Sequence, residues 1–117
     1  MAYCITFTVI NKTGWGISSN GYDSNTSITV PVCDSIPGGG AGFCVVVAGD
    51  GGSDFNGDIQ YTVDDGAYDL FNVSFDYVNR TLKPVILSSK QSYNVSVSDV
   101  GFGIAGNLYG TFTVTSG

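Results

Sequence analysis

Histidine and glutamate are both absent from this 117-residue chain. Without histidine there is no Ser-His-Asp or Cys-His catalytic set, no His-containing zinc site, and not the commonest general base. All ten acidic residues are aspartates, set against only four basic residues, Lys12, Arg80, Lys83 and Lys90, for a net charge of −6. Four scattered cations cannot neutralise a run of phosphates, so nucleic acid is excluded as a partner. The same shortage disfavours adsorption to anionic membranes, while a neutral or zwitterionic lipid, a sugar or a protein remain open. No apolar run approaches the roughly 20 residues of a membrane-spanning helix. The start, Met1-Ala2-Tyr3-Cys4, lacks the basic and apolar regions of a secretion leader and reads directly as a strand. Three separated cysteines, Cys4, Cys33 and Cys44, make a poor zinc site and allow at most one disulfide. No glycine-rich loop runs from a strand into a helix, so phosphate-binding loops are missing.

What the chain does have is a period of two. Tyr3, Ile5, Phe7 and Val9 alternate with polar or small neighbours. So do Ile28, Val30 and Val32; Ile59, Tyr61 and Val63; Phe71, Val73, Phe75 and Tyr77; Tyr93, Val95 and Val97; and Phe112 and Val114. Apolar-in, polar-out alternation marks strands with one solvated face. Gly42 to Ala48 is apolar on both faces and predicts a central strand. Asp65-Gly66 predicts a two-residue hairpin. Asn20-Gly21, Pro37 to Gly40 and Gly49 to Gly52 predict further turns. No window has helical spacing with a cap and a stop. The expectation is a single all-β domain over residues 1–117: an antiparallel β-sandwich of about eight short strands with almost no helix.

Candidate chemistry is sparse. Seven aspartates, Asp50, Asp54, Asp58, Asp64, Asp65, Asp69 and Asp76, crowd one stretch. A paired-carboxylate glycosidase needs a sugar cleft that so small a domain has little room for, and aspartate in turns and on outward strand positions explains the crowding more simply. In Asp54-Phe55-Asn56-Gly57-Asp58, oxygen ligands alternate as at the opening of a calcium loop. Ile59, however, stands where the sharp turn demands glycine, and a strand pattern follows. Asp54, Asn56 and Asp58 are therefore a weak calcium candidate, and no other cofactor is expected. Five N-x-Ser/Thr sequons begin at Asn11, Asn25, Asn72, Asn79 and Asn94, as a chain rich in Asn, Ser and Thr produces by chance. Trp15, Tyr22, Tyr68, Phe102 and Tyr109 lie beside turn-forming residues. Such rings have an apolar face and, in Trp and Tyr, a polar edge, which suits lipid interfaces and sugars.

The order of motifs resembles the aegerolysins, small acidic β-sandwich proteins. The resemblance runs through Val9-Ile10-Asn11-Lys12-Thr13-Gly14, the apolar strand Phe43 to Ala48, and Gly57-Asp58-Ile59-Gln60-Tyr61. It continues through the Asp65-Gly66 hairpin, Val73-Ser74-Phe75-Asp76-Tyr77, and Gly110-Thr111-Phe112-Thr113-Val114. It implies binding of membrane lipids with uncharged net headgroups, and in some members recruitment of a larger pore-forming protein, as in two-component insecticidal toxins that act outside the producing cell. It also implies a headgroup pocket at Asp76, Tyr77 and Asn79, with Tyr77 supplying the ring and Lys83 facing a phosphate. The chain departs from the family pattern there. Asp76-Tyr77-Val78-Asn79 lacks the family's Pro and Gly, and Trp15 is the only tryptophan.

Three functions from different classes follow. The first is lipid binding by loop aromatics and a headgroup pocket, with cytolysis by self-assembly or through a partner. The second is a β-sandwich lectin, with calcium assisting through Asp54, Asn56 and Asp58. The third is a self-assembling structural protein built on the uncharged, β-prone segment Phe43 to Val47. None of them is an enzyme.

Overall fold

Alternation writes the core before any tertiary contact forms. In β1 (Cys4–Asn11) the side chains of Ile5, Phe7 and Val9 are fully buried, and the intervening ones are half-buried. β6 (Asn56–Val63) buries Ile59, Tyr61 and Val63, and β7 (Asp69–Asp76) buries Phe71, Val73 and Phe75. These β-branched and aromatic residues fit a pleated, half-buried surface. A computed structural model describes residues 4–25, 28–29, 35–48, 56–64, 66, 69–88, 93–103 and 106–116.

The remaining described strands are β2 (Ile17–Ser24), β3 (Ile28–Thr29), β4 (Ser35–Ile36), β5 (Ala41–Ala48), β8 (Thr81–Ser88), β9 (Tyr93–Phe102) and β10 (Asn107–Ser116). They form two five-stranded sheets, β3-β5-β1-β10-β9 and β4-β2-β6-β7-β8. No helix occurs among the described residues. The inner faces meet in one core, where Phe7 packs edge-on against Phe112 at 5.5 Å and Tyr61 stacks on Phe71 at 5.4 Å. Such ring pairs add about 0.5–1.5 kcal/mol beyond their buried area. The fold is thus the expected all-β sandwich.

Several local expectations are corrected. Ten strands occur among the described residues rather than about eight, because β3 and β4 are two-residue pieces. The sandwich is mostly rather than wholly antiparallel. β1 and β10 run parallel at the centre of their sheet, with Ile5 opposite Leu108 and Val9 opposite Phe112. Gly42 to Ala48 is not a central strand buried on both faces. β5 lies one place from the edge of its sheet, and Phe43 is 53% exposed. Asn20-Gly21 does not turn the chain. It sits inside β2 at a bulge between Ser19 and Tyr22, where the +109° φ of Gly21 absorbs an extra residue. β6 and β7 pair as an antiparallel hairpin with Val63 opposite Asp69, while Asp65 of the expected Asp65-Gly66 turn lies outside the described residues. Gly66 takes a φ of +83° there. Pro37 to Gly40 is a turn, closed by the Gly40 N–H donating to the Pro37 carbonyl at 2.9 Å. Gly49 to Gly52, Val30, Val32 and Cys33 lie outside the described residues.

Candidate functional site

The strand directions sort the candidate residues onto two poles and one face. Trp15 stands alone at the pole where β1 passes into β2. Asn11, 1% exposed, holds that corner. Its Nδ2 donates to the carbonyls of Trp15 at 2.6 Å, Pro37 at 3.2 Å and Ile36 at 3.3 Å. Its Oδ1 accepts from the Thr13 N–H at 3.0 Å and the Thr13 hydroxyl at 2.6 Å. The Trp15 ring packs edge-on against Tyr93 at 6.2 Å and is 37% exposed. The Asn11 sequon is therefore a buried structural polar group, while Asn25, Asn79 and Asn94 are exposed.

The opposite pole gathers Asp76, Tyr77, Asn79 and Phe102. β7 ends at Asp76, and residues 77–80 turn the chain into β8. Asp76 builds that turn: one carboxylate oxygen accepts from the Asn79 N–H at 3.2 Å and the other from Asn79 Nδ2 at 2.7 Å. The Arg80 N–H donates to the Tyr77 carbonyl at 3.2 Å. Strand alternation sends Asp76 outward and Tyr77 inward. Tyr77 is 5% exposed, packs against Phe102 at 5.6 Å, and donates its hydroxyl proton to the Gly106 carbonyl. Its ring is thus a core ring that pins the β9–β10 loop to the end of β7, and it presents no free face to a headgroup.

Arg80 was not among the residues singled out in the sequence. Its guanidinium lies 4.0 Å over the Phe102 ring, a cation–π contact contributing about 0.5–1 kcal/mol at an exposed site. Its φ is +54°, the left-handed region that a residue with a Cβ seldom occupies. Beside it Val78 is 60% exposed. Tyr109 lies near this pole on the outer face of its sheet, opposite Gly101, and is 43% exposed. A Cβ on Gly101 would collide with the Tyr109 ring, so glycine lets that ring lie flat across β9.

Asn56, Asp58 and Lys83 belong to neither pole's tip but to the outer face of the sheet β4-β2-β6-β7-β8. Tyr22 instead pairs with the buried Ile59, so register puts its side chain on the other face, where it is 51% exposed. Asp23 pairs with Asp58, Asp58 with Ser74, and Ser74 with Lys83. Lys83 therefore faces a row of polar strand positions rather than the Tyr77 ring. Asn56 and Asp58 sit in a strand paired on both sides, not in a loop curled around an ion. Asp54, Tyr68 and Lys90 lie outside the described residues. Near the first pole, Asp69 is buried at 3%, unlike the surface position expected of these aspartates. On the strand face of the second pole, the Cys4 thiol is free and donates to Asn107 Oδ1 at 3.4 Å.

No family model matches this chain, and no curated protein matches its sequence. Solved structures do match its fold. A lipid binding protein, Nakanori, superposes with a TM-score of 0.65 at 12% identity over 98% of this chain and 72% of its own. IP-1A from Alcaligenes faecalis superposes with a TM-score of 0.58 at 14% identity over 98% of this chain and 93% of its own. At these identities the relation is one of fold.

Proposed function

We propose that this protein binds a membrane lipid whose headgroup is neutral or zwitterionic, through the pole formed by the β7–β8 turn and the end of β9. The observation that carries the reading is Arg80, held over Phe102 beside the exposed Val78. The turn places a fixed cation, an apolar side chain and an aromatic ring at one tip. A guanidinium there donates to a lipid phosphate, while Val78 enters the acyl boundary and Tyr109 occupies the interface that tyrosine favours. The charge of −6 repels a strongly anionic membrane at long range, so selection falls on a phosphate already balanced within its own headgroup. The fold likeness to a lipid binding protein supports the same reading.

The protein acts by binding, not by catalysis. Following the aegerolysin resemblance, the reading extends to a two-component toxin in which this chain supplies membrane recognition and a larger protein supplies the pore. Sedimentation with vesicles of sphingomyelin, ceramide phosphoethanolamine or phosphatidylcholine, each with and without cholesterol, tests the core of it. Co-pelleting with at least one composition is expected. Absence of binding to all of them would overturn the lipid reading.

A further inference from the structure

The outer face of the sheet β4-β2-β6-β7-β8 has a site of different chemistry. Strand register lays down its floor. One row crosses four strands as Asp23, Asp58, Ser74 and Lys83. In the adjacent row Gln60 lies opposite Asn72, and the Gln60 Oε1 accepts from Asn20 Nδ2 at 2.6 Å. Three hollows of about 300, 280 and 260 Å³ run along this face, and Asp58 borders all three. Asn20, Asp23, Gln60 and Asn72 line the largest with Asp58.

We propose that this groove binds a neutral carbohydrate, recognised through its vicinal hydroxyls. Carboxylates accept two hydroxyl protons side by side, and primary amides both donate and accept, so Asp58, Gln60 and Asn72 match the alternating donors and acceptors of a diol. Two observations favour a ligand over a solvated strand face. Asp23 and Asp58 are like charges directly opposite each other, an arrangement that destabilises a strand pair. Hydroxyl donors shared between them relieve it. The Asn72 Oδ1 is enclosed and has no hydrogen-bond partner among the described residues, and a small rotation of that amide toward a bound hydroxyl satisfies it. An anionic sugar is disfavoured by the facing carboxylates. The groove stands on its own geometry and does not depend on the lipid reading.

The test is an array of neutral oligosaccharides probed with the full chain in the presence of a chelator. Hits are followed by titration of the free glycan and of phosphatidylcholine vesicles carrying the same glycan on a neutral glycolipid. Binding to one or more neutral glycans is expected, unaffected by the chelator. Binding of the free glycan identifies a soluble or polysaccharide source; binding only on vesicles, and in excess of that to the same phosphatidylcholine vesicles without the glycolipid, identifies a glycolipid headgroup, and each outcome supports the site. Gln60→Ala and Asn20→Ala are both expected to weaken binding about tenfold or more, with circular dichroism reporting the fold; Asn20, at the β2 bulge, keeps the test valid should Gln60→Ala fail to fold. Trp15→Phe, at the far pole, is expected to bind as the parent does. Arg80→Gly is expected to retain glycan binding while losing phospholipid vesicles, which separates failure of one reading from failure of the other. No binding to any neutral glycan, binding abolished by the chelator, or folded groove variants that bind like the parent would overturn the proposal.

Discussion

Arg80 and Phe102 meet across the open side of the sandwich, the guanidinium 4.0 Å from the ring centroid. The contact joins the β7–β8 turn of one sheet to the last residue of β9 in the other. It forms at a residue whose φ of +54° strains any side chain but glycine. A left-handed non-glycine residue costs on the order of 1 kcal/mol, so the turn keeps the cation at the expense of backbone comfort.

Arg80→Gly separates these two effects. Glycine accepts the positive φ, which offsets loss of a cation–π contact of about 0.5–1 kcal/mol. Thermal melting is expected to change by no more than about 1 kcal/mol in stability, while vesicle sedimentation falls strongly. A large loss of stability together with intact vesicle binding would assign Arg80 a purely structural role.

Val78→Asp addresses the apolar part of the same tip. With 60% of the side chain already in water, stability is expected to stay within about 0.5 kcal/mol. Vesicle binding is expected to weaken by about tenfold or more, because a carboxylate at this point meets both the acyl boundary and the phosphates. Unchanged sedimentation would move the membrane contact elsewhere on the molecule.

Asn11→Ala removes a side chain that serves three carbonyls and accepts two protons while almost wholly buried. Each buried polar group left without a partner costs about 1–3 kcal/mol, and several are orphaned at once. The expected destabilisation is about 3 kcal/mol by denaturant titration, with a shift in Trp15 fluorescence because the Trp15 carbonyl loses its donor. Vesicle binding by the folded fraction is expected to persist, since the corner lies at the far pole.

Gly101→Ala places a Cβ into the Tyr109 ring. Overpacking of this kind costs about 1–3 kcal/mol unless the ring can swing away. The double variant Gly101→Ala, Tyr109→Ala is expected to recover most of that loss, which a double-mutant cycle measures directly. Additive losses would mean that the glycine is needed for its backbone rather than for the close approach.

The self-association expected of Phe43 to Val47 takes a definite shape on this fold. β5 is hydrogen-bonded along its length to β1, and on its other side β3 pairs only with Val47 and Ala48 among the described residues. Phe43 still offers a large exposed ring on the outer face, and sedimentation velocity at increasing concentration measures whether copies meet there.

Inward faces were legible in the sequence because a period of two is a property of neighbouring residues alone. Ile5, Phe7 and Val9, or Phe71, Val73 and Phe75, have their side settled by alternation as soon as the segment is extended. The same alternation also put Asp58, Gln60, Asn72 and Ser74 on the solvent side. Dipeptide signals were less reliable. Asn20-Gly21 permits a positive φ, and whether that φ closes a hairpin or a bulge depends on the partner strand, which here continues past it as β6. The apolar run of β5 implied burial on both faces, but composition does not say how many strands lie beyond it.

The sequence by itself determined the strand character, the inward faces, the acidic charge and the lack of a histidine-based catalytic set, all of them local or additive quantities. Only the tertiary structure decided which residues share a site. It set Tyr77 against Phe102 and the Gly106 carbonyl and brought Arg80 to the same Phe102 ring. It also lined up Asp23, Asp58, Ser74 and Lys83 from four strands. Those neighbours are set by register and by the packing of two sheets, which depend on contacts between residues far apart in the chain.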